Sequence, residues 1–312
     1  MSALDDVVTD VFGRSVPLAV EREPEGVSTV VYRITRGQQQ FFLRLAEDDD
    51  DNLEVDAFVH ERLAALGVRT PAVVHVTPYD PRVGRSFMIT EHIGGRPLAA
   101  TADTSVRVGV IERAAEDIAV INSVIVDGFG WVVRDRPVWP PRAELGDYAA
   151  FVVDELPTAW PGRFSELFPA ADLELIEQVI HDERERLVER AVLAHGDLGL
   201  DHIFERDGAY TGIIDFGELR GTESEFDLAV FFNHSPREDR AALIDALLRG
   251  YGRVTPLPED IRHRMRVSGM LKVIRQLGRW LQPDFPHERD PAALARLVSR
   301  RFLAALRHDE RS

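Results

Sequence analysis

The chain has 312 residues, a net charge of −16 and no cysteine, which excludes disulfide frameworks and thiolate metal sites. The negative charge opposes binding to nucleic-acid phosphates or an anionic membrane surface and favours cationic small molecules, although charge of one sign also serves solubility. No signal-peptide pattern and no apolar run of membrane-spanning length is found. The sequence therefore predicts a cytoplasmic protein with neither a nucleic-acid nor a membrane partner.

The first third of the chain combines strand patterns with one internal helix. An amphipathic helix is predicted within 1–20, and a second helix over 53–66 has apolar residues at helical spacing and ends at Gly67. Alternating or continuously apolar strand patterns occur at 26–34, 40–45, 73–76 and 86–90. This order predicts a small sheet with a helix across it.

The rest of the chain is predominantly helical. Two glycines and a proline within 91–97 directly follow a strand, as expected of a connector between two lobes. Helical periodicity then covers 104–124, 142–155, 170–192, 236–251, 257–281 and 290–308. The one predicted interruption is 195–216, with short strands at 203–205 and 211–215. We therefore predict an α+β fold with a β-rich N-lobe over 1–93, a helical C-lobe over 94–312 and a cleft between them.

Two acidic residues stand at a spacing typical of phosphoryl transfer. Asp197 follows His-Gly, and Asp215 begins an Asp-Phe-Gly after an apolar strand. His202 lies five residues after Asp197, where the kinase pattern has a metal ligand. Transfer from a nucleotide needs one group that orients the attacking hydroxyl and others that hold a metal ion. Each motif alone could be a structural turn, but their joint spacing favours a kinase.

These motifs resemble those of the aminoglycoside phosphotransferase family of small-molecule kinases. The resemblance rests on His-Gly-Asp at 195–197, Asp-Phe-Gly at 215–217 and Phe-Asp-Leu-Ala at 226–229. It implies the bilobal fold of protein kinases, with Asp197 as catalytic base and Asp215 as a Mg²⁺ ligand. It further implies that Asp227 and His195 support the catalytic loop.

Residue 202 departs from the common family pattern. Most members carry asparagine there, whereas this chain has His202, as in the branches that act on the 2''-hydroxyl of aminoglycosides and on macrolides. A neutral imidazole can bind a divalent metal, although Mg²⁺ prefers oxygen. His202 is therefore expected to be a second metal ligand, with loop packing as the alternative. Most other histidines, including His234, are expected to be ordinary surface or core residues.

The N-lobe must use arginine where kinases use lysine, because Lys272 is the only lysine in the chain. Arg44 lies on the predicted strand 40–45, and its guanidinium could hold phosphate in a forked manner. An exposed strand arginine without a ligand is the alternative. Asp56 on the following helix is the expected partner of Arg44, with Glu54 as the other candidate.

Three further residues are implied in nucleotide binding by the resemblance. Ser28 lies in a loop, 25–29, that would cover the phosphates, although it lacks a multi-glycine signature. Thr90 and His92 follow a strand where main-chain atoms of the family's hinge pair with the purine. Side chains there say little about base choice, so both ATP and GTP are possible donors.

The leading hypothesis is a Mg²⁺-dependent kinase that phosphorylates a hydroxyl of a small, possibly cationic acceptor such as an aminoglycoside or macrolide antibiotic. On the same fold, the acceptor could instead be a metabolite of the choline, homoserine, methylthioribose or fructosamine type. A nucleotide-binding pseudokinase with a regulatory role is an alternative of another class. A metal-dependent hydrolase built on residues such as Asp201 would leave the Asp-Phe-Gly unexplained.

Overall fold

The computed structural model describes residues 3–23, 30–47, 51–282 and 290–309. Its first part contains two helices, α1 (Ala3–Phe12) and α2 (Leu53–Ala65). The strands of this part are β1 (Leu18–Arg22), β2 (Val31–Arg36), β3 (Gln39–Leu45), β4 (Val73–Asp80) and β5 (Arg85–Glu91). They form one antiparallel sheet in the order β1-β2-β3-β5-β4.

The two helices bury the sheet because successive strand residues point to opposite faces. Val8 of α1 belongs to a core with Leu43 and Ile89, which pair across β3 and β5. Ala57 of α2 packs in a separate cluster with Met88 of β5. The predicted helices and the strands at 40–45, 73–76 and 86–90 are confirmed. The strand predicted over 26–34 is found as β2 from Val31 onward, and residues 26–29 lie outside the described residues. Strand β1 was not predicted, since it is an edge strand without a fully buried residue.

The second part is mainly helical and adds two small sheets. The helices are α3 (Thr104–Ile121), α4 (Tyr148–Val153), α5 (Trp160–Phe164), α6 (Ala170–Glu185), α7 (Phe226–His234), α8 (Arg240–Gly252), α9 (Ile261–Trp280), α10 (Pro291–Val298) and α11 (Ala304–Asp309). The strands are β6 (Arg96–Pro97), β7 (Ile125–Val126), β8 (Phe129–Val132), β9 (Ala143–Leu145), β10 (Ala191–Ala194), β11 (Ile203–Arg206), β12 (Ala209–Ile213) and β13 (Arg220–Thr222). Their orders are β7-β10-β13-β8-β9 and β12-β11-β6.

The larger of these sheets corrects the sequence prediction. The helices predicted over 142–155 and 170–192 are both too long, because β9 lies at the start of the first range and β10 begins at the end of the second. Strand β10 has the continuously apolar sequence Ala-Val-Leu-Ala, which resembles a helix segment when only periodicity is considered. Strand β9 has only three residues, too few to show an alternating pattern. The α+β class is confirmed, whereas the lobe boundary between residues 93 and 94 stays a prediction. Across the described ranges, no helix combines the length and apolar character needed to cross a membrane.

Helices α3 and α8 pack at close range in the main core, and a glycine permits the approach. A Cβ built on Gly250 of α8 would lie 2.0 Å from the carbonyl oxygen of Glu112 and 2.9 Å from the Cβ of Ala115, both on α3. Gly252, two residues further, would place its Cβ 3.7 Å from the side chain of Leu257, which is ordinary contact. Gly250 is therefore required by packing, whereas Gly252 is not.

We expect Gly250→Ala to lower the free energy of unfolding by about 1–3 kcal/mol, because the added methyl group must push α3 away. Gly252→Ala should leave it unchanged or raise it by up to about 1 kcal/mol, since alanine favours helix. Urea unfolding followed by far-UV circular dichroism measures both. Equal effects of the two substitutions would contradict the packing assignment.

Candidate active site

The loop between β10 and β11 is fixed by a buried carboxylate. Asp227 at the start of α7 accepts the main-chain N–H groups of His195 and Gly196, each at 2.9 Å. Its Oδ2 also accepts the amide of Asn122, at 2.9 Å. The loop turns at Gly196, whose φ of 89° lies in the left-handed region and where a Cβ would overlap the carbonyl oxygen of Glu218. These contacts place Asp197 at the mouth of the loop.

The carboxylate of Asp197 is surrounded by basic side chains. Its Oδ1 lies 3.8 Å from both Lys272 Nζ and His234 Nδ1, and its Oδ2 lies 3.8 Å from His202 Nδ1. Burial alone would raise the pKa of Asp197, but Lys272 and the histidines more than offset it, and the net shift is downward. Asp197 is therefore ionised at neutral pH. His234, expected to be an ordinary histidine, instead faces this carboxylate.

His202 connects Asp197 with Asp215. Its Nδ1 lies 2.6 Å from the main-chain oxygen of Asp197, which can only accept, so Nδ1 carries the proton. In the neutral ring, Nε2 then presents a lone pair, and this nitrogen lies 3.6 Å from Oδ2 of Asp215. Asp215 has a left-handed φ of 65°, and its Oδ1 accepts the N–H of Gly217 at 3.3 Å.

This donor set fits a divalent cation that also binds phosphate. An imidazole nitrogen and a carboxylate oxygen supply two ligands, and Mg²⁺ usually takes only one or two protein carboxylates beside water and phosphate oxygens. The described residues contain no group of three or more His, Cys, Asp or Glu side chains arranged around a metal. A closed, all-protein metal site is therefore not formed in this part of the chain, whereas an open one at His202 and Asp215 is geometrically available.

His195 joins the loop after β10 to the Asp-Phe-Gly segment. Its Nε2–H donates to the carbonyl of Ile214 at 2.9 Å, and its Nδ1 accepts the N–H of Asp197 at 3.3 Å. Complete burial lowers its pKa and keeps the ring neutral. The ring also contacts Phe216 edge-on at 4.9 Å. His195 thus has a fixed tautomer and holds the loop.

Asp56 is the acidic residue opposite Arg44, but its closer partner is a residue that sequence analysis missed. Its buried carboxylate lies 3.8 Å from Nη1 of Arg44, whereas Nε of Arg134 lies at 2.9 Å. Arg134 also donates to the carbonyl of Gly217 at 2.9 Å. Glu54 instead accepts a hydrogen bond from Asn52 at the N-terminus of α2. No motif marks Arg134, because only the fold brings it to this carboxylate.

The other residues predicted to bind the nucleotide are Thr90, His92 and Ser28, which precede α3 in the chain. Thr90 is buried near the end of β5, and His92 follows that strand. The N–H of His92 donates to the carbonyl of Gln40 at 3.2 Å, so a purine would have to replace this hydrogen bond. Ser28 lies outside the described residues.

A cavity of about 530 Å³ opens beside the loop. Its polar lining includes Asp197, His202, His234 and Arg107. Arg107 is paired with Asp239 at 2.8 Å, so its charge is balanced. The cavity places a space of small-molecule size directly against the carboxylate of Asp197.

Comparison with solved structures finds the same fold in known phosphotransferases. A thermostable mutant of aminoglycoside phosphotransferase APH(4)-Ia in a ternary complex with ADP and hygromycin B gives a TM-score of 0.69 at 18% identity, covering 97% of this chain and 99% of its own. The GDP and kanamycin complex of APH(2'')-IIIa gives a TM-score of 0.66 at 15% identity, covering 95% of this chain and 97% of its own. A putative fructosamine-3-kinase from Thermobifida fusca YX-ER1 gives a TM-score of 0.62 at 20% identity, covering 97% of this chain and 98% of its own.

These identities establish the fold alone, which is the predicted bilobal, protein-kinase-like one. A search of curated proteins gives no match. The phosphotransferase enzyme family (APH) matches residues 20–267, a range that contains the motifs at 195–197, 215–217 and 226–229. Since this match spans well over half of its sequence, the chain belongs to the phosphotransferase enzyme family.

Proposed function

We propose that the protein transfers the γ-phosphoryl group of ATP or GTP to a hydroxyl of a small molecule. The observation that carries this proposal is the convergence of three side chains. His202 contacts the main chain of Asp197 at 2.6 Å through one nitrogen and faces Asp215 at 3.6 Å through the other. A base and an open cation site thus lie side by side, as phosphoryl transfer requires.

Asp197 takes the role of the base. Its lowered pKa keeps it ionised, so it can accept a hydrogen bond from the acceptor hydroxyl and orient that oxygen toward the phosphorus. The cavity of about 530 Å³ against Asp197 offers room for the acceptor. Asp227 and His195 keep the loop in place through the hydrogen bonds to its main chain.

His202 and Asp215 would hold Mg²⁺. When bound, the ion neutralises charge on the phosphates. In the neutral ring of His202, Nε2 is available for the ion because Nδ1 carries the proton. Thr90, His92 and Ser28 are the proposed contacts to the rest of the nucleotide, and the cleft between 1–93 and 94–312 is its proposed place.

Arg44 would steady the phosphates from the N-lobe sheet. Arg134 holds Asp56 in two contacts of 2.9 and 3.2 Å, whereas Arg44 lies 3.8 Å away. Arg44 is therefore the less tightly engaged of the two guanidinium groups. A less engaged arginine near the Asp-Phe-Gly can turn toward a phosphate without leaving Asp56 unpaired.

An aminoglycoside or macrolide is the favoured acceptor class. Hygromycin B and kanamycin occur in complexes of two proteins with this fold, and the net charge of −16 attracts cations. A metabolite acceptor is the second candidate, favoured by the similarity to a putative fructosamine-3-kinase. Transfer of label from ATP or GTP is measured with a panel of antibiotics and with a panel of sugar or amino-alcohol metabolites. The panel that becomes labelled identifies the acceptor class. No transfer to any acceptor, together with no slow nucleotide hydrolysis, would favour a pseudokinase.

We expect Asp197→Ala to reduce kcat by about 10²–10⁴-fold, because general-base catalysis contributes a factor of this size. The affinity for magnesium-nucleotide should stay within about twofold, since Asp197 is not one of the proposed metal ligands. Steady-state kinetics and calorimetric titration measure the two quantities. Asp182→Ala, on the exposed face of α6, is the control. Comparable turnover of the Asp197 variant and the wild type would refute the assigned role.

We expect Asp215→Ala to weaken magnesium-dependent nucleotide binding by at least tenfold, because a charged ligand of the cation is lost. A chelator should abolish the thermal stabilisation by nucleotide in the wild type. Asp201→Ala is the matched control in the same loop region. It should leave binding intact in a kinase and weaken metal binding in a hydrolase that uses Asp201. Unchanged binding of the Asp215 variant in calorimetry would remove the metal assignment.

A further inference from the structure

Lys272, the one lysine in the chain, lies at the catalytic loop. It projects from α9, and its side chain is 19% exposed. Its Nζ donates to the main-chain oxygen of Gly196 at 3.1 Å and lies 3.8 Å from Oδ1 of Asp197. A chain that otherwise uses only arginine as its permanently charged basic residue therefore places its single ammonium group beside the proposed base.

The ammonium group of Lys272 has fewer close partners than it could bind. An ammonium group has three N–H donors, and within the described residues Lys272 makes one hydrogen bond. The separation of 3.8 Å from Asp197 exceeds hydrogen-bond length. Burial lowers the pKa of Lys272 to about 8, against the attraction of Asp197, Glu218 and Asp227 and with the repulsion of Arg220.

Two largely buried arginines hold their carboxylate partners more closely than Lys272 does. Arg134 binds Asp56 at 2.9 Å, and Arg220 binds Glu218 at 2.5 Å and stacks on Trp131. Burying a charge without a full set of partners is unfavourable, and an apolar residue of similar volume would serve packing better. The position of Lys272 is therefore better suited to an anion that arrives in the site than to stability of the fold.

We infer that Lys272 is a catalytic residue that binds the phosphoryl group during its transfer. The inference rests on the proposed function. The acceptor oxygen must lie about 2.6–3.2 Å from the carboxylate of Asp197 and in line with the phosphorus. An ammonium group 3.8 Å from the same carboxylate can reach the equatorial oxygens of the transferring group. It faces them from α9, whereas Arg44 and the cation site act on the nucleotide side.

The transfer breaks one phosphorus–oxygen bond and forms another. The bond between the γ-phosphorus and the β–γ bridging oxygen breaks, and its electron pair stays on the nucleoside diphosphate. The acceptor oxygen forms the new bond to phosphorus, and its proton passes to the carboxylate of Asp197. Lys272 keeps its protons and stabilises the negative charge on the equatorial oxygens.

Binding of a transition-state mimic tests this role. Aluminium fluoride added to the magnesium complex of ADP or GDP, whichever the wild type binds, stands in for the planar transferring group. We expect it to tighten diphosphate binding by about 10²-fold in the wild type. Lys272→Met should bind the magnesium diphosphate within about twofold of the wild type but lose most of this tightening. Lys272→Arg should keep part of it, because the positive charge remains.

Arg264→Gln is the matched control, since Arg264 lies on the same helix, is partly exposed and pairs with Asp260 on the surface. It should behave as the wild type. Nucleotide hydrolysis without acceptor gives a second readout, and Lys272→Met should lower its kcat by about 10²–10³-fold with little change in KM.

The outcomes separate this inference from the proposed function. If the wild type binds no magnesium diphosphate, the proposed function fails and this inference with it. If the wild type binds it and aluminium fluoride tightens the wild type and Lys272→Met equally, Lys272 has no contact with the transferring group and only this inference is overturned. A Lys272→Met protein that loses diphosphate binding itself would assign the lysine to holding the loop, which also overturns it.

Discussion

The site depends on the carboxylate of Asp227. It accepts hydrogen bonds from the main chain of His195 and Gly196 and from the amide of Asn122, which also donates to the carbonyl of Leu193. A buried carboxylate is tolerated only when such donors compensate its lost hydration, and hydrogen bonds to a charged acceptor are about twice as strong as neutral ones. One side chain thereby ties α3, β10 and α7 together, and Asp197 follows the fixed segment directly. Without this anchor, neither Asp197, the proposed base, nor the neighbouring His202 would have a defined position.

A column of rings extends this order to the N-terminal part of the chain. Phe216 of the Asp-Phe-Gly contacts His195 at 4.9 Å on one side and His60 of α2 at 4.8 Å on the other. His60 donates from Nδ1 to the carbonyl of Pro71 at 3.2 Å, and burial lowers its pKa, so the ring stays neutral. The apolar ring of Phe216 thus contacts two histidine rings, and each of these is hydrogen-bonded to a main-chain carbonyl. The rings therefore connect α2 with both the Asp-Phe-Gly segment and the loop that carries Asp197.

Much of this site could be predicted from sequence because its parts lie close together in the chain. Asp197 and His202 lie in one loop and Asp215 lies just after the following strand pair, so their spacing alone led to the proposed chemistry. Arg134 and Lys272 could not be assigned, since they reach the site from a segment and a helix whose placement depends on long-range packing. The sequence shows that Lys272 is the single lysine, but it does not show that this lysine lies beside Asp197. The sheet containing β10 was missed for a related reason: its strands have only two to four residues, and pairing partners distant in sequence define them.

His202 and Asp215 are proposed to hold one cation that also touches the phosphates of a nucleotide. Manganese can replace Mg²⁺ at such sites and is paramagnetic, so electron spin-echo envelope modulation reports the nuclei bound to it. We predict that Mn²⁺ bound with nucleotide shows coupling to an imidazole ¹⁴N and to ³¹P in the wild type. The ¹⁴N coupling should disappear in His202→Asn while the ³¹P coupling remains. If manganese and nucleotide bind to the wild type without ¹⁴N coupling, His202 does not bind the cation and the proposed cation site is wrong.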